Sequence, residues 1–303
     1  MTIYPENEIT TQPDGDIWTV QRVLLWSGGW LKEKSGAFSD NHRLEAELLL
    51  AAVLDLERMK LYLQLDRPLS KSERDAFKLL LRRRAEGEPI AYILGYRDFY
   101  RHRFKVSPAV LIPRPDTELL VESAFLAAKS LTAPRILDIG TGSGCVAISL
   151  AAELPESVVE AWEVSDEAIQ VALINRSSVG VSNLTIIKQD ALRDSAYKGE
   201  PYDIIVSNPP YIAANERSLM SAETLKHEPQ GALFPDDADG LTFYRYLAVN
   251  SRQALRPHGK IFLEIGMNQG EKVAQLFKDA GWRKIIVVKD LAGHDRVVVA
   301  ELD

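Results

Sequence analysis

Hydrophobic residues run along this chain in two rhythms. From Thr19 to Glu86 they recur at helical spacing, whereas from Ile112 onward short apolar runs alternate with helical stretches. The first rhythm predicts helices over Thr19–Lys34, Arg43–Leu54, Arg58–Leu63 and Lys71–Glu86. Ser70 and Glu73 have capping-box spacing, and Asp40 or Asn41 can open the segment in which Leu44, Leu48 and Ala51 share one face. The second rhythm predicts strands over 135–139, 158–163, 184–188, 202–207, 260–265, 284–288 and 296–301. Helices are expected near 116–129, 144–153, 166–177, 240–255 and 268–280. This alternation implies an α/β fold with a doubly wound, mainly parallel sheet. The last two strands flank a hairpin-length connection at Leu291–His294, which puts an antiparallel strand at the sheet edge. Between the two regions, Tyr92–Tyr100 and Phe104–Val106 mix aromatic and β-branched residues with basic ones, as a hairpin does.

The expected organisation is a disordered tail over 1–16, a helical substrate-recognition domain over 17–90, a hairpin linker over 91–111 and the α/β domain over 112–303. A chain of 303 residues with 46% hydrophobic content has room for two such cores. The tail is polar and acidic with Pro5 and Pro13, unlike a signal or transit peptide. Leu48–Leu54, the longest tightly apolar stretch, is too short to cross a bilayer, so no membrane role is expected. The single cysteine, Cys145, excludes an intramolecular disulfide and fits a cytoplasmic protein.

Chemistry concentrates in the α/β region. Arg135–Ile139 reads as a strand and runs into Gly140-Thr141-Gly142-Ser143-Gly144, after which Cys145–Ala152 reads as a helix. Such a turn lets a ligand approach the backbone and offers it unpaired helix N–H groups. The spacing is Gly-x-Gly-x-Gly, and Cys145 stands where a dinucleotide fingerprint wants its third glycine. The pattern therefore favours S-adenosylmethionine over NAD. Glu163 ends the next strand, where a carboxylate can accept from ribose hydroxyls. Asp190 follows the third strand and could accept from the adenine amino group, with only the backbone or methyl of Ala191 beside it. Downstream, the apolar run Tyr202–Val206 exits through Asn208-Pro209-Pro210-Tyr211. Prolines stop the strand from pairing and supply carbonyl acceptors without donors, which suits a substrate whose reactive group is an NH2.

Together, Asp138-x-Gly140-x-Gly142-x-Gly144 and Asn208-Pro209-Pro210-Tyr211 resemble the S-adenosylmethionine-dependent amino-methyltransferases. Leu111-Ile112-Pro113-Arg114-Pro115-Asp116-Thr117-Glu118 and Gly293-His294-Asp295-Arg296-Val297-Val298 narrow the resemblance, from about Trp18 to the C-terminus, to the release-factor glutamine methyltransferases. The resemblance implies a Rossmann-like methyltransferase domain with a seven-stranded, mainly parallel sheet. Its implied partners are class 1 release factors, methylated on the glutamine of their Gly-Gly-Gln motif. It also implies that Pro113–Glu118 borders cofactor and substrate, with Asp116 capping the next helix in the plainer reading. Asn208 is the implied catalytic residue, with Pro209, Pro210 and Tyr211 completing the substrate site. A ribosomal-protein glutamine methyltransferase and an adenine-N6 nucleic-acid methyltransferase remain alternatives, because an exocyclic amino group on a planar base makes the same demands.

Charge bears on that choice. Residues 1–111 carry 17 Lys and Arg against 16 Asp and Glu, whereas residues 112–303 carry 19 against 27. An acidic catalytic half disfavours binding along a phosphate backbone. The basic runs at Lys71, Arg74, Lys78, Arg82, Arg83 and Arg84 and at Arg97, Arg101, Arg103 and Lys105 read as solvated faces. His42, His102, His227, His258 and His294 lack metal-ligand spacing, so no metal is expected, and no catalytic base is required. The segment His227–Leu233 lies in a long connection after Tyr211, where substrate loops occur.

Overall fold

A computed structural model describes residues 17–34, 41–193, 197, 199–235 and 238–303; the expected tail over 1–16 and Asp40 lie outside these. The chain divides into two units. The first comprises residues up to Gly95 together with Ser221–His227, and the second comprises Tyr96–Met220 and Glu228–Asp303.

The first unit is helical. It contains α1 (Val20–Lys34), α2 (His42–Val53), a 3-10 turn over Arg58–Leu63, α3 (Lys71–Ala85), the short α4 (Ile90–Leu94) and the later helix Ala222–His227. Val23, Leu31, Leu49, Leu50, Leu61, Phe77 and Leu81 form its core. The capping box at α3 is present: Ser70 Oγ accepts from Glu73 N at 3.2 Å, and Glu73 Oε2 accepts from Ser70 N at 2.7 Å. Asn41 precedes α2 without a side-chain cap.

The apolar face expected on α2 is displaced. Leu44 is exposed, while Glu45 and Glu47 are buried with Ala46, Leu49 and Leu50. Ion pairing is the reason: Glu45 meets Arg84 at 3.0 Å, and Glu47 meets Arg43 at 3.1 Å and Arg58 at 2.8 Å. Arg84 is therefore not on a solvated face; it is 1% exposed and also holds Glu223 at 2.6 Å.

The second unit opens with an antiparallel hairpin, β1 (Tyr96–Phe99) and β2 (His102–Lys105), shorter than the sequence suggests because Tyr92–Leu94 is helical. Phe99 and Phe104 drop into the core of this unit beside Leu120, Ile136 and Ile148. After a 3-10 turn over Pro115–Thr117 come α5 (Glu118–Ala128), β3 (Arg135–Ile139), α6 (Cys145–Glu153), β4 (Val158–Glu163), α7 (Asp166–Val179), β5 (Leu184–Lys188) and β6 (Tyr202–Ser207). The connection after β6 carries short helical turns and α8 (Ala222–His227), the helix already described with the first unit, none of which the hydrophobic pattern foretold. The chain finishes with α9 (Thr242–Asn250), β7 (Leu255–Glu264), α10 (Gly270–Asp279), β8 (Arg283–Lys289) and β9 (Asp295–Glu301).

The sheet has seven strands in the order β5-β4-β3-β6-β7-β9-β8. β5, β4, β3, β6 and β7 are parallel, and β9 runs antiparallel between β7 and β8. The antiparallel strand thus sits one place in from the edge, since β9 returns from the Leu291–His294 turn to pair with β7. One face of the sheet packs on α5 and α6 through residues such as Leu120 and Ile148, and the other on α9 and α10 through Leu247 and Phe277. The chain leaves β3 toward β4 on one side while β6 lies on the other, so the carboxyl ends of β3, β4 and β6 flank the point where strand order reverses. No helix among the described residues is long and apolar enough to cross a membrane.

Candidate active site

At the end of β3 the backbone passes through Gly140, Gly142 and Gly144 with φ of +73°, +54° and +82°, a region that side-chain-bearing residues resist. Gly144 has a second constraint, because a Cβ there would meet Ile148 Cδ1 at 2.7 Å. Asp138, 2% exposed, holds the turn from inside: its Oδ2 accepts from Thr141 Oγ1 at 2.7 Å and from Ala147 N at 3.2 Å. Burial pushes its pKa up to about 7 despite these two bonds. Asn175 of α7, fully buried, donates to Ser143 O at 2.8 Å while its Oδ1 accepts from Lys105 N at 2.6 Å. One amide thereby ties the glycine turn to the hairpin.

The turn borders a cavity of about 480 Å³ that Gly140, Thr141, Gly142, Ser143, Glu163, Asp190, Ala191, Asn208 and Pro210 all line. Gly144, Pro209 and Tyr211 are chain neighbours of these lining residues. Glu163 folds back on the backbone rather than standing free: Oε2 accepts from Gly142 N at 2.9 Å, and Oε1 from Val164 N at 2.8 Å and Ser165 N at 3.0 Å. Its extra methylene, relative to aspartate, gives the reach for this. Asp190 is similarly engaged, with Oδ1 accepting from Leu192 N at 3.0 Å and Oδ2 paired with Arg193 at 3.1 Å. Each carboxylate braces the cavity wall and keeps lone pairs to spare.

Asn208 enters from the end of β6, beside β3. Its Nδ2 donates to Thr117 Oγ1 at 3.2 Å. Thr117 is 2% exposed and itself lines the cavity. Tyr211 turns its hydroxyl to Glu264 Oε1 at 3.3 Å, while its carbonyl accepts from Gln269 Nε2 at 2.9 Å. Gly240 packs so closely on that carbonyl that a Cβ would lie 2.3 Å from it. Glu264 is 2% exposed, and burial pushes its pKa up to about 7 although the Thr117 and Tyr211 hydroxyls and Arg296 favour its charged form.

Sequence reasoning placed Pro113–Glu118 beside this region and missed its anchors. Glu228, 4% exposed, accepts from Ile112 N at 3.2 Å and from Arg114 at 2.5 Å. Asp116 does not cap α5; it meets Arg296 at 3.1 Å, which also holds Asp290 at 3.0 Å. Val110, Trp162 and Phe243 supply apolar wall that no local motif announced, while Leu111 brings the Leu111–Glu118 motif to it and Pro229 and Ala232 bring the segment His227–Leu233. Cys145 lines the cavity with its thiol pushed up to about 12 by burial, as suits a packing residue rather than a nucleophile.

Two family descriptions match the chain: PrmC N-terminal domain over residues 30–95 and Methyltransferase small domain over residues 115–238. A release factor glutamine methyltransferase of Geobacter sulfurreducens is 40% identical over 290 residues, covering 96% of this chain and 98% of that protein. Another, from Bacteroides thetaiotaomicron, is 39% identical over 253 residues, covering 84% and 90%. Among solved structures, the hMettl16 catalytic domain in complex with the MAT2A 3'UTR hairpin 6 has a TM-score of 0.54 at 18% identity, covering 66% of this chain and 75% of that one. That likeness is one of fold.

Proposed function

Because this chain belongs to the release factor glutamine methyltransferase family, we propose that it methylates the side-chain amide nitrogen, N5, of the glutamine in the Gly-Gly-Gln motif of class 1 release factors. The methyl donor in this reading is S-adenosyl-L-methionine, and S-adenosyl-L-homocysteine is the product. One observation carries it: Asn208 and Pro210 line the same cavity as the glycine turn, so an amide acceptor and a nucleotide-type backbone cradle face a single volume.

The cavity suits the donor chemically. Gly140 and Gly142 bring bare backbone to its wall, Glu163 and Asp190 add acceptors, and Trp162 and Ala191 add apolar surface. The residues that would hold the donor are Gly140, Thr141, Gly142, Ser143, Gly144, Glu163, Asp190, Ala191 and Asn208. When bound, S-adenosylmethionine supplies a methyl already activated by its own sulfonium. The protein's work is therefore on the nucleophile, since an amide nitrogen shares its lone pair with its carbonyl. Asn208 Oδ1 and the Pro209 carbonyl each accept one N–H, which aims the nitrogen and favours the positive charge that develops there. Tyr211 limits rotation of the substrate amide. No strong base is needed before attack, because the proton becomes acidic only as the new bond forms. Residues 17–90 are the proposed recognition surface for the release factor, with 91–111 as linker and 112–303 as the methyltransferase domain.

The test offers purified protein labelled S-adenosylmethionine with, separately, a release factor, a ribosomal protein and DNA, and locates the label by mass spectrometry. Label on the Gly-Gly-Gln glutamine is expected. Label on adenine, or on the ribosomal protein alone, would overturn the proposal.

A further inference from the structure

The Gly293–Val298 motif lies far along the chain from Pro113–Glu118, and nothing in the proposed chemistry uses it. Sheet topology brings the two together. β9 runs antiparallel to β7, so it begins at the end of the sheet where β6 and β7 finish. Ser207, Leu263 and Val298 form one row across these strands, and Glu264 with Val297 forms the next, level with Asn208. Arg296 is one step further on, its carbonyl accepting from Ile265 N at 2.9 Å. We infer that Arg296 is a positioning residue: through Asp116 it holds the Pro115–Thr117 turn so that Thr117 stays in the cavity wall beside Asn208. This rests on the reading of Asn208 as part of the clamp for the substrate amide.

The hold is stiff at both ends. Arg296 is mostly buried and divides its guanidinium between two carboxylates: Nε meets Asp290 Oδ2 at 3.0 Å, and Nη2 meets Asp116 Oδ2 at 3.1 Å. A rigid planar fork serves two partners at fixed angles, which the single ammonium of a lysine does not. Asp290 is itself fixed, because its Oδ1 accepts from Ala292 N and His294 N, each at 2.9 Å. On the other side, Asp116 is followed directly by the buried Thr117, whose Oγ1 lies 3.2 Å from Asn208 Nδ2 in the cavity wall. Pro113 and Pro115 fix two backbone angles in this segment, and Glu228 fastens its start through Ile112 N and Arg114. A short segment pinned at Glu228 and at Arg296 has little freedom to carry Thr117 out of the wall.

Stability accounts poorly for the arrangement. Asp116 is half exposed, and an ion pair with so much water around one partner adds little to folding. Asp290 alone would neutralise Arg296. What the pair with Asp116 adds is a fixed distance between the sheet and the turn.

Arg296→Met, Asp116→Ala and the double variant test this, with steady-state kinetics on a release factor, the thermal midpoint and amide exchange over residues 112–118 as readouts. Each single variant should lower kcat roughly 10- to 100-fold, the range for a misplaced group, and the double variant should lose no more than either. The KM for the release factor should stay within about threefold of the parent. The midpoint of Asp116→Ala should hardly move. Arg296→Met also strips Asp290 of its cation, so its kinetics are read well below its own midpoint. Exchange at the Thr117 and Glu118 amides, which bond within the turn, should be roughly tenfold faster in both variants. The pair of substitutions also separates holding from charge. Arg296 favours the ionised form of Glu264 and Asp116 disfavours it, so an effect passed through Glu264 would run in opposite directions. Parental kcat, opposite or additive effects, or unchanged exchange overturns the inference. A parent that labels no release-factor glutamine would overturn the functional reading instead, and the exchange arm would still decide whether Arg296 holds the turn.

Discussion

The helical unit buries Arg84 against Glu45 and Glu223, and Glu47 against Arg43 and Arg58, whereas the sheet unit buries Asp138 and Glu264 among hydroxyls and a backbone N–H. The two solutions have opposite electrostatic results. Burial alone would raise Glu47, but hydrogen bonds from Tyr62, Arg58 and Arg43 outweigh it and hold the group below the usual carboxylate range. Burial would likewise lower Arg84, and its two carboxylate partners raise it instead. At Asp138 and Glu264 burial prevails, and both carboxyls move up to about 7. Paired charges tie α2, α3 and α8 together through Arg84. Weakly compensated carboxyls stand instead at the glycine turn and beside the Tyr211 hydroxyl, where their burial costs stability.

Removing one partner from the paired set is the severest test of this contrast. Arg84→Met leaves the buried Glu45 and the half-buried Glu223 without their cation, and is expected to cost roughly 3 to 5 kcal/mol by urea denaturation. A loss below about 1 kcal/mol would mean that water reaches the site and that the ion pair is no scaffold. In the other set the expected sign is reversed. Asp138 has a folded pKa of about 7, above its unfolded value, so its contribution to stability is full at low pH and is lost as pH rises through 7. Between about pH 5 and about pH 8 this amounts to roughly 3 kcal/mol. In Asp138→Asn the amide oxygen can occupy the place of Oδ2 and keep both bonds. The difference in stability between variant and parent should then move in the variant's favour across that window. Parallel pH profiles of the two proteins would refute the assignment.

The parts of the fold legible in the sequence are those fixed locally. Ile136, Leu137 and Ile139 lie next to a glycine turn whose three left-handed residues no other type fills comfortably, and Ser70 with Glu73 is a self-contained bond pair. What stayed illegible depends on partners distant in the chain. Glu45 looks like a surface residue until Arg84 comes beside it. Gly240 looks like loop punctuation until the Tyr211 carbonyl packs where its Cβ would be. The site divides in the same way: Gly140–Ser143, Glu163 and Asn208 were readable as strand-end residues, whereas Thr117, Glu228 and Glu264 gain their surroundings only when β6, β7 and the start of α5 converge.

Glu163 tests whether a carboxylate of the sheet unit acts by its charge or by its shape. It accepts three backbone N–H groups, one of them from Gly142 in the glycine turn. Glu163→Ala should weaken calorimetric affinity for S-adenosylmethionine by about 1.5 to 3 kcal/mol, the range for hydrogen bonds to a charged group. Glu163→Gln is the more informative change. Its single oxygen can serve Val164 and Ser165, but its NH2 then faces the Gly142 N–H as a second donor. Affinity close to that of Glu163→Ala would place the effect in the brace on the turn, and affinity close to the parent would remove Gly142 from the account.

At the mild end, Ser70→Ala asks whether the helical unit can be loosened without touching the chemistry. Ser70 closes the first turn of α3 through two short contacts with Glu73, and Glu73 is held in turn by Arg67 at 2.6 Å. Deleting the hydroxyl removes one cap bond and leaves Glu73 bound to Ser70 N and Arg67, so the expected loss is about 1 kcal/mol, as for other N-cap serines. Affinity for S-adenosylmethionine should not move, because no residue of α3 lines the cavity. A stability loss with unchanged cofactor affinity keeps the two kinds of buried charge independent. A parallel loss of affinity would show that α3 and the cavity share one cooperative structure.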